Sequence, residues 1–184
     1  MFLVTGLGNI GKEYESTPHN AGFLFVDRLR EHLLQNSKLQ VSEWIDESKL
    51  FLSDICKIKK NGELIGILQK PRTFMNSSGS AVGLVIKKFE YDKYILMHDD
   101  LDIPLGEYKI QFEKSPKGHR GVLSVERVLG NQFDRVRIGI ENRGRRVISG
   151  DEYVLIPYSK KELAILESVI DEGISKLITE YLQL

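Results

Sequence analysis

The chain has 184 residues, 41% of them hydrophobic and 28% charged, with 26 basic residues balancing 26 acidic ones. That length suits one domain over residues 1–184 with a sizeable core, and the balance excludes a disordered tail protein, which needs low hydrophobicity and a strong net charge. A single cysteine, Cys56, excludes an intramolecular disulfide, and no apolar stretch approaches the ~20 residues that span a bilayer. The first residues lack the basic start of a secretory leader, and their apolar run is broken by Gly6 and Gly8. The expectation is a cytoplasmic protein without a membrane partner.

Taken in chain order, residues 2–5 read as a strand and 23–34 as an amphipathic helix with Val26, Leu29 and Leu33 on one face. Residues 50–58 and 63–69 read as two strands joined at Asn61-Gly62, a hairpin signal because both turn positions need positive φ. Residues 78–89 read as a helix and 94–97 as a buried strand that ends at His98-Asp99-Asp100, with a polar turn at Asp102-Ile103-Pro104. A strand over 107–112, a helix over 121–129, a strand over 135–140 and a helix over 159–181 complete the series. The stretches 102–106, 113–121 and 141–151 read as loops. Strands alternating with helices predict an α/β domain in three layers, a twisted and mostly parallel mixed sheet flanked by helices. Ligands in such folds bind beyond the carboxyl ends of the strands, which selects residues 6–11 and 98–102 as rim segments.

The neutral total hides an uneven distribution. Residues 103–150 hold 10 basic and 5 acidic side chains, whereas 151–184 hold 3 and 7. The basic block is either an electrostatic footprint for a phosphate-bearing partner or an unevenly charged solvated surface.

Several motifs compete for the chemistry. Gly6-Leu7-Gly8-Asn9-Ile10-Gly11 matches G-x-G-x-x-G, but the dinucleotide reading requires the third glycine to open a helix, and Lys12-Glu13-Tyr14 follows instead. Backbone bending at the sheet rim accounts for these glycines better. Thr17-Pro18-His19-Asn20 has the form of a helix start, with a capping hydroxyl and proline at the first position. There the positive helix end is expected to keep His19 neutral, as a general base requires; a structural histidine is the alternative. His98-Asp99-Asp100-Leu101-Asp102 is either a carboxylate-rich metal site or a strand end whose carboxylate orients a histidine, fixing its tautomer. Ser77, Ser78 and Ser80 suit helix capping, and Cys56 suits packing, so no covalent nucleophile emerges. A hydrolase here has to activate water directly.

The ordered set Gly6-Leu7-Gly8-Asn9, Tyr14, Thr17 to Gly22, Pro71-Arg72-Thr73-Phe74-Met75-Asn76-Ser77-Ser78-Gly79, His98 to Pro104, Gly118-His119-Arg120-Gly121, Phe133 and Arg135 to Ile140 resembles the bacterial-type peptidyl-tRNA hydrolases over residues ~3–155. The resemblance implies a monomeric, metal-independent α/β hydrolase without a cofactor. Its partner is peptidyl-tRNA, held by acceptor end and nascent peptide, and it cleaves the ester that joins the peptide to the 3′ end of tRNA. It implies His19 as the base that activates water, Asp99 as the group holding His19 in its basic form, and Asn9 as the residue that senses a blocked amino group. Asn76 matches a substrate-binding amide, Tyr14 and Phe74 match residues that line the cleft, and Met75 shapes its wall.

Two positions depart from the family pattern. Arg120 stands where the family usually has asparagine, and Gln111 stands where it often has a basic residue that clamps the tRNA 5′ phosphate. Lys109 and Arg137 then remain as tRNA phosphate contacts, and Arg120 is expected to make a charge-assisted substrate contact in place of an amide. A homologue that holds RNA ends without cleaving them is the alternative function.

Overall fold

In a computed structural model, residues 1–113 and 118–184 are described; the stretch 114–117 of the expected loop lies outside them. The strands are β1 (Phe2–Gly6), β2 (Leu39–Val41), β3 (Ile45–Asp46), β4 (Ser53–Lys60), β5 (Glu63–Pro71), β6 (Lys93–Pro104), β7 (Tyr108–Phe112) and β8 (Asp134–Glu141). The helices are α1 (Ala21–Leu34), α2 (Ser48–Phe51), α3 (Ser78–Lys88), α4 (Arg120–Leu129), α5 (Gly150–Tyr153) and α6 (Lys160–Lys176), the last continuing as a π turn over Leu177–Leu182. One sheet runs β2-β4-β5-β1-β6-β8-β7, with β3 beside β4. Its central strands β5, β1, β6 and β8 are parallel, while β2, β3 and β4 on one side and β7 on the other pair antiparallel.

Side chains alternate across this sheet and build a core on each face. Val4, Ile95 and Met97 pack with Phe25 and Leu29 of α1 and Leu166, Ile170 and Ile174 of α6. Leu3, Leu96 and Ile67 pack with Val82 and Val85 of α3 and Val122 and Val125 of α4. This is the expected three-layer α/β domain. The hairpin also forms where expected: Asn61 and Gly62 have φ of 53° and 86° and join β4 to β5.

The differences lie in short elements and boundaries. β6 does not stop at Asp100 but runs to Pro104, because the strand continues beside β8 through an irregularity between Asp100 and Pro104. The expected turn at Asp102-Ile103-Pro104 is therefore strand. Residues 50–52 precede β4 as part of α2 and its left-handed end at Leu52, φ 49°. β2, β3 and α5 are too short to leave a periodic signal.

One close approach sets the site. A methyl on Gly22 would lie 2.4 Å from the Met97 carbonyl oxygen and 2.5 Å from the Leu7 amide nitrogen. Leu7 N–H donates to the Met97 carbonyl and Phe23 N–H to the Leu7 carbonyl, so the start of α1 is pinned across the carboxyl ends of β1 and β6. Glycine is needed there for this close contact.

Candidate active site

A cleft of about 490 Å³ opens beyond those strand ends, lined by Asn9 after β1, His19 before α1, Phe74 to Asn76 before α3, Asp99 to Asp102 on β6, Gly118 to Arg120, and Gly150, Asp151, Val154 and Leu155 around α5. Asp99 shares the strand parity of Ile95 and Met97, the face that α1 covers, so its carboxylate meets the turn that carries His19.

His19 Nδ1 lies 3.0 and 3.1 Å from the two Asp99 carboxylate oxygens. Its backbone N–H donates to the Val154 carbonyl at 2.9 Å, which locks the turn to the segment after α5. The turn itself, Pro18–Asn20, is 3-10 rather than α, and Thr17 does not cap it: its hydroxyl donates to the Tyr14 carbonyl. The expectation that a helix end keeps His19 neutral is corrected. Burial pushes the imidazole down, but the Asp99 carboxylate outweighs it and holds His19 above the ordinary 6.5. Burial likewise favours the neutral form of Asp99, and the imidazoles of His19 and His119 overcome it, holding the carboxyl below its usual range.

His119, which sequence reasoning passed over as part of a motif, is the second donor to Asp99. Its Nε2 lies 2.8 Å from Asp99 Oδ1, and its Nδ1 accepts from the Gly121 and Val122 amides at 3.2 and 3.3 Å, capping α4. His98 stands behind, its Nδ1 2.7 Å from the Asp99 carbonyl oxygen and its ring edge-on to His119. Burial, with His119 beside it, pushes the His98 imidazole down to about 3.

Asn9 faces the same cleft. Its carboxamide oxygen accepts the Met75 backbone N–H at 3.0 Å, so the free end of the amide is the NH₂ donor. Asn20, another residue not singled out in advance, holds the Asn9 backbone from both sides, accepting from its N–H at 2.8 Å and donating to its carbonyl at 3.0 Å. Met75 is buried, Phe74 is 62% exposed and Asn76 is exposed at the rim. The serines of this segment do not cap with their side chains; Ser78 Oγ donates to the Met75 carbonyl.

The structure thus brings Asn9, His19, Phe74, Met75, Asn76, Asp99 and Arg120 to one cleft. Arg120 reaches across the mouth to Asp151, 2.6 Å away, and both are exposed. Tyr14 is a correction: it lies half-buried in the 3-10 turn Lys12–Tyr14, outside the cleft lining. Arg137 is another. It is 5% exposed and its guanidinium is held by Asp100 at 2.7 Å and by the Gln111 carboxamide, so it supports the cleft wall from inside. Lys109, opposite it on β7, is exposed. Arg135 and Arg143 of the basic block are likewise engaged, with Glu126 and Glu141.

His19, Asp99 and His119 offer three ligand atoms within 4.8 Å. A cation there would have to displace both N–H donors of Asp99. It would also need a proton on His119 Nδ1, where two backbone amides already point. The donor set fits a hydrogen-bonded carboxylate better than a metal.

Residues 3–183 match the family described as Peptidyl-tRNA hydrolase. The chain is 37% identical over 179 residues to the Peptidyl-tRNA hydrolase of Aquifex aeolicus, covering 96% of this chain and 88% of that one. It is 41% identical over 170 residues to that of Campylobacter fetus, covering 92% and 85%. Its fold is similar to the crystal structure of peptidyl-tRNA hydrolase from Acinetobacter baumannii, with a TM-score of 0.81 and 30% identity over 96% of this chain and 86% of the other. With the family profile, the relatives and the fold in agreement over almost its whole length, the chain belongs to the peptidyl-tRNA hydrolase family.

Proposed function

We propose that this protein hydrolyses the ester between a peptide and the 3′ end of tRNA, with His19 as general base. The observation that carries the reading is the His19–Asp99 pair beside an amide donor: His19 donates through Nδ1, so Nε2 carries the lone pair toward the cleft that Asn9 shares.

In this mechanism His19 Nε2 takes a proton from water, and the hydroxide attacks the ester carbonyl carbon. The carbonyl oxygen gains negative charge, and the NH₂ groups of Asn9 and Asn76 donate to substrate oxygens without placing a second charge in the cleft. The bond from carbon to the ribose oxygen then breaks, and that oxygen recovers the proton from His19. Asp99 keeps the ring in one tautomer and stabilises the imidazolium between these steps. An ester leaves readily enough that neutral imidazole and amide donors suffice. Phe74 and Met75 supply an apolar wall for peptide of varied sequence, and exposed Lys109 supplies a phosphate contact. Arg120 can exchange Asp151 for a substrate oxygen at small cost, since an exposed pair contributes only ~0–1 kcal/mol.

The test is release of tRNA from an N-blocked aminoacyl-tRNA and from its unblocked form. Release from the blocked ester alone supports the reading. Retention of tRNA without release would favour a binding protein, and equal release from both would remove the sensing role from Asn9.

A further inference from the structure

The Asp99 carboxylate is held by two histidines, and both line the cleft. His119 comes from the start of α4, and its two ring nitrogens have opposite duties. Nδ1 accepts the first amides of that helix, from Gly121 and Val122, while Nε2 meets Asp99 Oδ1 at 2.8 Å. A nitrogen that receives two N–H groups cannot itself carry a proton, so the ring's one proton is on Nε2. We propose that His119 is a positioning residue for the hydrolysis: helix α4 locks it as the neutral Nε2–H tautomer, and that proton anchors Asp99 so that the mobile proton of the site belongs to His19 alone.

The surroundings are consistent with this division. His19 and His119 have ring centroids 5.0 Å apart and share Asp99 Oδ1, so a proton could in principle settle on either ring. The groups facing them are Asp99 and His98 from β6, Arg120 from α4, Asp151 from α5 and Tyr158 beyond it. His98 gives its Nδ1–H to the Asp99 carbonyl and offers no proton to His119. Of the two rings beside the carboxylate, His19 is the one without a backbone N–H on a ring nitrogen. The arrangement also ties catalysis to the helix that carries Arg120, because the cap of α4 and the second anchor of Asp99 are the same ring.

The experiment uses the full chain and two isosteric substitutions. The amide of asparagine reaches the place of Nδ1, so His119→Asn keeps the cap and loses the donor to Asp99. The amide of glutamine reaches the place of Nε2, so His119→Gln keeps the donor and loses the cap. His119→Asn is expected to melt near the wild-type temperature, to turn over about tenfold more slowly with KM little changed, and to raise the His19 pKa, because the less compensated carboxylate favours imidazolium. His119→Gln is expected to melt lower yet turn over faster than His119→Asn, with the acid limb of its pH profile moved back toward wild type. A wild-type rate and pH limb in His119→Asn, or no advantage of His119→Gln over it, would overturn the proposal. The activity arm rests on the hydrolase reading; ¹⁵N-imidazole NMR does not. His119 held as neutral Nε2–H while His19 titrates supports the proposal even in a protein that releases no tRNA, whereas His119 titrating together with His19 refutes it.

Discussion

The Asn9 carboxamide oxygen accepts the backbone N–H of Met75 at 3.0 Å, and this one bond decides which end of the amide the cleft receives. Without it the side chain could present an acceptor as readily as a donor. With it, the loop before α3 and the loop after β1 hold each other and leave an NH₂ group beside His19.

Asn9→Asp therefore separates structure from chemistry. The carboxylate can still accept from Met75, so the melting temperature should change little. The donor is lost and a second negative charge enters, so kcat should fall by about 10²–10³, the usual loss for one donor to a developing oxyanion. Steady-state kinetics beside a thermal melt checks both halves. A large loss of stability with an unchanged rate would make Asn9 structural.

The pH dependence follows from Asp99. Because the carboxylate holds the His19 imidazole above 6.5, activity should be full above that raised pKa and fall as pH drops through it, as the base becomes protonated. Asp99→Asn removes the raising influence and leaves burial, so the acid limb should move to lower pH while the plateau falls by about 10³–10⁴ through the wrong tautomer. Rates at pH 5 to 9 for both proteins test the sign.

Arg137 should behave as a buried structural residue. Removing it in Arg137→Ala strands Asp100 and the Gln111 carboxamide around a cavity, with an expected loss of about 3–5 kcal/mol by urea unfolding. Lys109→Ala should leave stability unchanged and weaken tRNA binding in a salt-dependent way, flattening the slope of log K against log salt by about 0.7–0.9.

For Arg120 the expectation concerns substrate. Arg120→Asn breaks an exposed pair with Asp151, so the melting temperature should barely move. If the guanidinium contacts substrate, KM for blocked aminoacyl-tRNA rises while kcat is retained. Unchanged KM would mean that the side chain only spans the mouth of the cleft.

Much of this arrangement was legible in the sequence, and the gaps have physical causes. Asn61-Gly62 marked its hairpin because positive φ at two successive positions restricts the residues that fit. His19 and Asp99 could be matched by resemblance, since they stand inside dense motifs after β1 and on β6. The role of His119 was hidden because a histidine that caps a helix has the same local signature as one that merely precedes it; the cap shows in the Gly121 and Val122 amides on Nδ1, and the tie to the site in the 2.8 Å approach of Nε2 to Asp99. Arg137 misled for the opposite reason. It remained as a phosphate contact once Gln111 departed from the family pattern, but Asp100 and Gln111 meet it when β6, β7 and β8 are side by side. Asn20 acts through its carboxamide on the Asn9 backbone and Val154 through its own carbonyl, pairings that composition does not reveal.

The most direct test of His19 as the base is single-turnover release from an N-blocked aminoacyl-tRNA by His19→Ala, with binding of the same substrate measured in parallel. Binding close to wild type with release reduced at least a thousandfold is the expected result, in line with removal of the general base. Release at a rate near wild type would contradict it and assign the activation of water to another group.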